Sequence, residues 1–122
     1  MKIIVSSILF AVSAIHLLPV VGVLGPKSLT KLYGVTFSDS NTEILLRHRA
    51  VLFAIIGLFL FLSVFKSEYQ PLAICIGLIS VASFLLLTWP IEGLNSEISR
   101  VVKVDWVALI LLIVAGAINI LI

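Results

Sequence analysis

Apolar residues fall in four long runs, and polar residues are confined to the gaps between them and to a few positions near the run ends. A helix rises about 1.5 Å per residue, so crossing about 30 Å of hydrocarbon takes about 20 residues. Residues 3–24, 44–65, 71–89 and 104–122 reach that length. Stretches such as Ala50–Phe65 and Leu72–Leu87 are apolar on all sides, whereas a barrel strand alternates apolar and polar residues. The pattern predicts an all-α fold, a bundle of four transmembrane helices running up and down. The connectors are too short for a second domain, so residues 1–122 form one integral membrane domain.

Local signals refine these elements. Pro71 opens the third span, where its missing N–H costs nothing. Pro90 ends that span, and Pro19 predicts a kink near the end of the first. The first apolar run continues past Val12-Ser13-Ala14 to Leu24, which suits a retained anchor better than a cleaved signal peptide. Loop one is expected to hold a short interfacial helix from Pro26 to Tyr33 and a turn cluster from Asp39 to Asn41. In loop three, Asn95 is placed to cap a short helix beginning at Ser96. Trp89, Trp106, Tyr33 and Tyr69 stand where interface anchors belong. Ala50-xxx-Ala54, Ala73-xxx-Gly77 and the Ala115-Gly116-Ala117 run supply small residues for close helix packing.

Composition narrows the class further. The chain is 61% hydrophobic and 11% charged, against about 25% charged in soluble domains. A net charge of +2 with no basic stripe argues against a nucleic-acid partner. The lone Cys75 sits in an apolar run and reads as a small hydrophobe. GxSxG, Walker, GxGxxG and HExxH motifs are absent, so no catalytic residue is assigned. His16 and His48 lack metal-ligand spacing, and neither a metal nor another cofactor is expected.

Ionisable groups gather at one end of the bundle. His16 is about 12 Å inside the loop-one end of the first span, and Arg47, His48 and Arg49 are about 4–8 Å inside the same end of the second. Asp105 begins the fourth span there. His16, Arg47, His48, Arg49 and Asp105 therefore form a candidate polar pocket for an anionic headgroup or another lipid-like ligand. Each residue also has a plainer use. His16 can hydrogen-bond a backbone carbonyl or a hydroxyl, with Ser13 one turn away. One arginine can reach lipid phosphates while the other pairs with an acid; Glu43 lies four residues before Arg47. The two arginines are about 200° apart around the helix, so only one can face the interior. Asp105 can serve as an early acid of the fourth helix or as counter-ion to Arg47 or Arg49. A closed interior would favour a non-enzymatic accessory subunit or lipid-like-ligand binder, with membrane lipids as partners and, for a subunit, another membrane protein. A cavity joining His16, one arginine and Asp105 would favour a small membrane enzyme or proton-coupled transporter.

Four segments, His16-Leu-Leu-Pro19, Gly22-Val-Leu-Gly25, Leu32-Tyr-Gly34 and Leu46-Arg-His-Arg-Ala-Val-Leu-Phe53, resemble a group of small bacterial inner-membrane proteins of about this length. The resemblance implies four helices and an inner-membrane location, and it implies no activity. Some members carry the name phosphopantetheine adenylyltransferase, an activity that goes with an HxGH nucleotide motif; neither His16 nor His48 begins one. The helix count and size are also similar to DoxX-type membrane proteins, in architecture alone.

Four spans put both termini on one side, and loops one and three on the other. The loop-one and loop-three side holds Lys27, Lys31, Arg47, Arg49, Arg100 and Lys103, against Lys2 and Lys66 opposite. This bias places loops one and three in the cytoplasm. Single cysteines replacing Ser38 or Ser96 in a Cys75→Ser background are expected to resist an impermeant thiol reagent in intact cells. Labelling of both from outside would reverse the topology.

Overall fold

The computed structural model describes residues 1–36 and 39–121. It contains five helices and, among the described residues, no strand: α1 (Lys2–Leu17), α2 (Pro26–Tyr33), α3 (Ser40–Phe65), α4 (Gln70–Thr88) and α5 (Ser96–Leu121). Leu18–Leu24 continues α1 as a 3-10 helix, and Ser67–Tyr69 is a 3-10 turn leading into α4. Four of these helical stretches are long and apolar enough to cross a membrane: Lys2–Leu24, Ser40–Phe65, Ser67–Thr88 and Ser96–Leu121. The all-α reading holds. Around the bundle the order is α1, α3, α4, α5, with α5 closing back on α1 and α1 diagonal to α4.

The core has a simple composition. Val5, Ile8, Leu9 and Val12 of α1 meet Leu60 of α3, Ala73, Ile74, Val81 and Leu85 of α4, and Ala108, Leu112 and Ala115 of α5. Small residues set the separations. A Cβ on Gly77 would lie 3.1 Å from Leu112 Cδ1, so the expected Ala73-xxx-Gly77 face does receive α5 closely. Large side chains such as Ile55, Leu58, Ile79, Leu86 and Ile110 point outward and are exposed, an arrangement that suits lipid and not water.

Three boundaries differ from the sequence reading, for identifiable reasons. Asp39 caps α3 by accepting a hydrogen bond from the Asn41 N–H at 2.9 Å, so the second span begins at Ser40 instead of 44. Asn95 accepts from the Ile98 N–H at 2.8 Å, the cap expected for a short helix. That helix, however, runs without a break into the fourth span and forms one 26-residue element. Asp105 is consequently the tenth residue of α5, and the first-turn role offered for it does not apply. Pro19 lacks the N–H that would serve the Ile15 carbonyl, and from Leu18 the helix tightens to 3-10 geometry.

The helix expected at Pro26–Tyr33 forms, but α2 is packed against the bundle instead of lying loosely at an interface. Leu29 and Tyr33 are buried. Asn95 fastens its end, donating through Nδ2 to the Tyr33 carbonyl at 2.8 Å and to the Gly34 carbonyl at 3.3 Å. Gly34 is required there. Its φ is +66°, and an added Cβ would strike the Glu97 carboxylate. Tyr33 is therefore no outward anchor, whereas Trp89, Trp106 and Tyr69 are exposed.

Gly57 brings α3 against α1 at the level of His16. A Cβ at this position would fall 2.7 Å from both Cγ and Cδ2 of Leu17 and 3.4 Å from the His16 Cβ. Gly57→Ala is expected to destabilise the protein by about 1–3 kcal/mol through overpacking. Gly116→Ala, whose new methyl would be 3.6 Å from Ile74 Cγ2, is expected to be tolerated. Thermal unfolding of both variants in detergent checks the contrast, and equal midpoints would contradict it.

Candidate functional site

Above the core, at the loop-one end, the bundle does not close. A cavity of about 710 Å³ lies among the 3-10 end of the first span, α2, the upper part of α3 and the first half of α5. Ligand pockets fall in the range of about 300–1,000 Å³. Most of the wall is apolar, including Ile15, Leu18, Pro19, Phe53 and Val104. His16, Arg49 and Asp105 supply polar groups on its inner part, and Lys31, Glu97 and Arg100 supply others towards the loops. Arg49 and Asp105 are each the tenth residue of their helix. Both helices start at the same end, so the two side chains sit about 14 Å from those starts, at matching depth.

His16 faces the bundle interior, with 3% of its surface exposed. Its Nδ1 is 3.0 Å from the Val12 carbonyl oxygen and its Nε2 is 2.9 Å from Ser80 Oγ of α4. A carbonyl only accepts, so Nδ1 carries a hydrogen and donates it. The Ser80 hydroxyl then donates to Nε2 of a neutral ring, or accepts from a charged one. Both hydrogen bonds survive either state. The Phe53 ring meets the imidazole edge-on, with centroids 5.6 Å apart. Ser13 does not take part: its hydroxyl donates to the Phe10 carbonyl at 2.7 Å.

Arg49 is held by aromatic faces. Its guanidinium carbon is 4.3 Å from the Phe53 ring centroid, 5.3 Å from that of Phe84 and 5.8 Å from that of Tyr33. Cation–π contacts of this kind contribute about 0.5–2 kcal/mol, more where water is excluded. The one ion pair within 4 Å among the described residues is elsewhere, between Arg47 and Glu43 at 3.6 Å.

The five candidate residues therefore divide. His16, Arg49 and Asp105 share the cavity. Arg47 turns to the other side of α3, where Nε donates to the Val23 carbonyl at 3.0 Å and the head group pairs with Glu43. His48 is exposed. This follows the separation of the two arginines by about 200°: one faces the cavity, and the other is satisfied by the 3-10 segment of the first span and by Glu43 one turn before it.

Sequence reasoning missed several contributors. Tyr33 and Phe84 were not associated with Arg49, because α2 folding back and the rotation of α4 are tertiary facts. Ser80 was one hydroxyl among many. Gln70 falls between the apolar runs 44–65 and 71–89, yet it is buried and donates through Nε2 to Ser6 Oγ at 3.1 Å and to the Ser63 carbonyl at 3.1 Å. A polar residue immediately before a helix-opening proline was the available signal.

The class these features define is a multi-pass helical membrane protein with a polar-based cavity at one end. No protein family, curated protein or solved structure matches the chain.

Removing the Asp105 charge tests how the site is wired. Asp105→Asn is expected to change stability less in an Arg49→Gln background than alone, while in an Arg47→Ala background the effects add within about 0.5 kcal/mol. Chemical or thermal unfolding of wild type, the three single variants and the two double variants in detergent gives both cycles. Additivity with both arginines would show that Asp105 and Arg49 are electrostatically independent.

Proposed function

We propose that this protein resides in a bacterial inner membrane, as the resemblance of its His16–Pro19 and Leu46–Phe53 segments implies, and binds a lipid-like ligand there, alone or as an accessory subunit. The observation that carries the reading is the cavity itself, whose inner part holds Arg49 and Asp105 and whose rim is charged towards the loops, at Lys31, Glu97 and Arg100, and apolar on the side of Leu18 and Leu24. Leu18 and Leu24 on that rim are 70% and 79% exposed. An amphiphile is the molecule whose two halves match such a wall: its head meets fixed polar groups and its chain leaves past apolar residues. The long exposed apolar flanks of the helices place that rim beside lipid.

The interior is not closed, and a cavity joining His16, Arg49 and Asp105 is the arrangement expected of a small membrane enzyme or proton-coupled transporter; that is the second reading, ranked below binding because both ring nitrogens of His16 are already engaged. A histidine that keeps both hydrogen bonds whichever charge it carries suits a proton-handling step in a small membrane enzyme or proton-coupled transporter. Proton uptake in proteoliposomes that disappears in His16→Gln would favour it over binding alone.

The binding reading is tested on the full chain extracted into native lipid particles. Mass spectrometry is expected to find an amphiphile retained after delipidating washes. Val104→Trp, which fills the cavity from its exposed rim, is expected to reduce that retention about tenfold without unfolding the protein. Retention equal in wild type and Val104→Trp, or no retained amphiphile in wild type, would overturn the proposal.

A further inference from the structure

Two opposite charges line the inner cavity, and neither is spent on the other. No ion pair within 4 Å joins Arg49 to Asp105. The Arg49 guanidinium stands over the rings of Phe53, Phe84 and Tyr33, contacts that consume none of its N–H donors, and the residue lines the cavity. No buried side-chain nitrogen or oxygen among the described residues lacks a partner, so the unspent polar atoms of both groups are the ones that border the open space. His16 contributes no further donor or acceptor, because both ring nitrogens are engaged.

Resting on the reading that the cavity holds an amphiphile, we propose that the head it selects is zwitterionic, with an acidic group on Arg49 and an ammonium on Asp105. The argument is one of charge. Lys31, Glu97 and Arg100 line the cavity towards the loops; the inner pair, Arg49 and Asp105, is neutral taken by itself. Adding a net anion to this partly desolvated pair satisfies Arg49 but sets a like charge near Asp105. Adding a net cation does the reverse. A head carrying both signs satisfies the two groups at once and leaves the inner pair balanced, the least costly condition for charges away from water. Charge-assisted hydrogen bonds at both ends reinforce the choice. The apolar rim at Leu18 and Leu24 assigns the chain of the same molecule to the membrane side. The volume of about 710 Å³ accommodates the head and the first part of one chain.

The test uses three probes on the delipidated full-length protein in detergent: a lysophosphatidylethanolamine, the lysophosphatidylglycerol of the same chain, and free phosphoethanolamine. Affinities are read by native mass spectrometry or calorimetry on wild type, Asp105→Asn and Arg49→Gln. Wild type is expected to bind the zwitterionic lysolipid about tenfold tighter than the anionic one, the scale set by one charged hydrogen bond. Asp105→Asn is expected to abolish that preference, and Arg49→Gln to weaken both lysolipids about tenfold. Free phosphoethanolamine is expected to bind far more weakly than its lysolipid. Equal binding of the free head would overturn the lipid source. Equal or tighter binding of the anionic lysolipid by wild type, or a preference unchanged in Asp105→Asn, would overturn the zwitterionic head while leaving the cavity a ligand site. Binding of neither lysolipid, together with no amphiphile retained from native lipid particles, would overturn both.

Discussion

Lipid gives an apolar helix little reason to prefer another helix over acyl chains, so packing and polar contacts must fix how membrane helices meet. Here two polar ties cross the bundle between its diagonal partners. His16 of α1 reaches Ser80 of α4, and Gln70 of α4 reaches Ser6 of α1. Each tie joins residues 64 apart in sequence. The two therefore lie ten residues apart on both helices, about 15 Å along parallel axes. Only one axial register of α1 against α4 satisfies them together. A slip of one residue would break both ties, leaving His16 only its Val12 bond and Gln70 only its Ser63 bond, at a cost of about 1–3 kcal/mol for each buried group left short. Close packing of the neighbouring pairs accompanies that register, with Leu112 of α5 beside Gly77 of α4 and Leu17 of α1 beside Gly57 of α3.

The same register explains why the bundle is closed at one end and open at the other. Between the two ties, small and branched residues fill the interior, and Leu9, Leu60 and Leu112 are fully buried. Beyond His16, Pro19 ends the regular hydrogen bonding of α1, and the tighter 3-10 segment is followed by α2 instead of more helix. Asn95 holds α2 to the start of α5, so α2 spans the end of the bundle without filling it. The cavity is thus the consequence of a helix that stops early on one side while α3 and α5 continue.

Much of this was legible in the chain because bilayer thickness and helix rise leave few choices. Four runs of about 20 apolar residues can be little else. Pro26 and the Asn95 cap marked α2 and the start of α5 by local chemistry that needs no tertiary knowledge. The division of Arg47 from Arg49 was legible as an angle, though which of them turned inward was not. Apolar periodicity also misjudged where helices begin. Residues such as Glu97, Arg100 and Lys103 are polar and still helical, because α5 extends past the apolar stretch. The aromatic cage about Arg49 depends on Tyr33, Phe53 and Phe84, each from a different helix. No spacing rule connects three helices, so the most informative feature of the site was visible only once they had been assembled.

That cage bears on why a charge can stand where it does. A bare guanidinium among apolar side chains would be driven to pair with the nearest carboxylate, and the cavity would collapse onto the pair. Aromatic faces offer part of the same stabilisation without consuming hydrogen-bond donors. They also come from rigid rings, so they hold the group in place at small entropic cost. Arg49 can then remain beside Asp105 without joining it, and the space between them persists. An arginine fixed by carbon faces keeps its donors available for something else, and the exposed rim between the 3-10 end of the first span and α5, at Leu18, Leu24 and Val104, is where that something would enter.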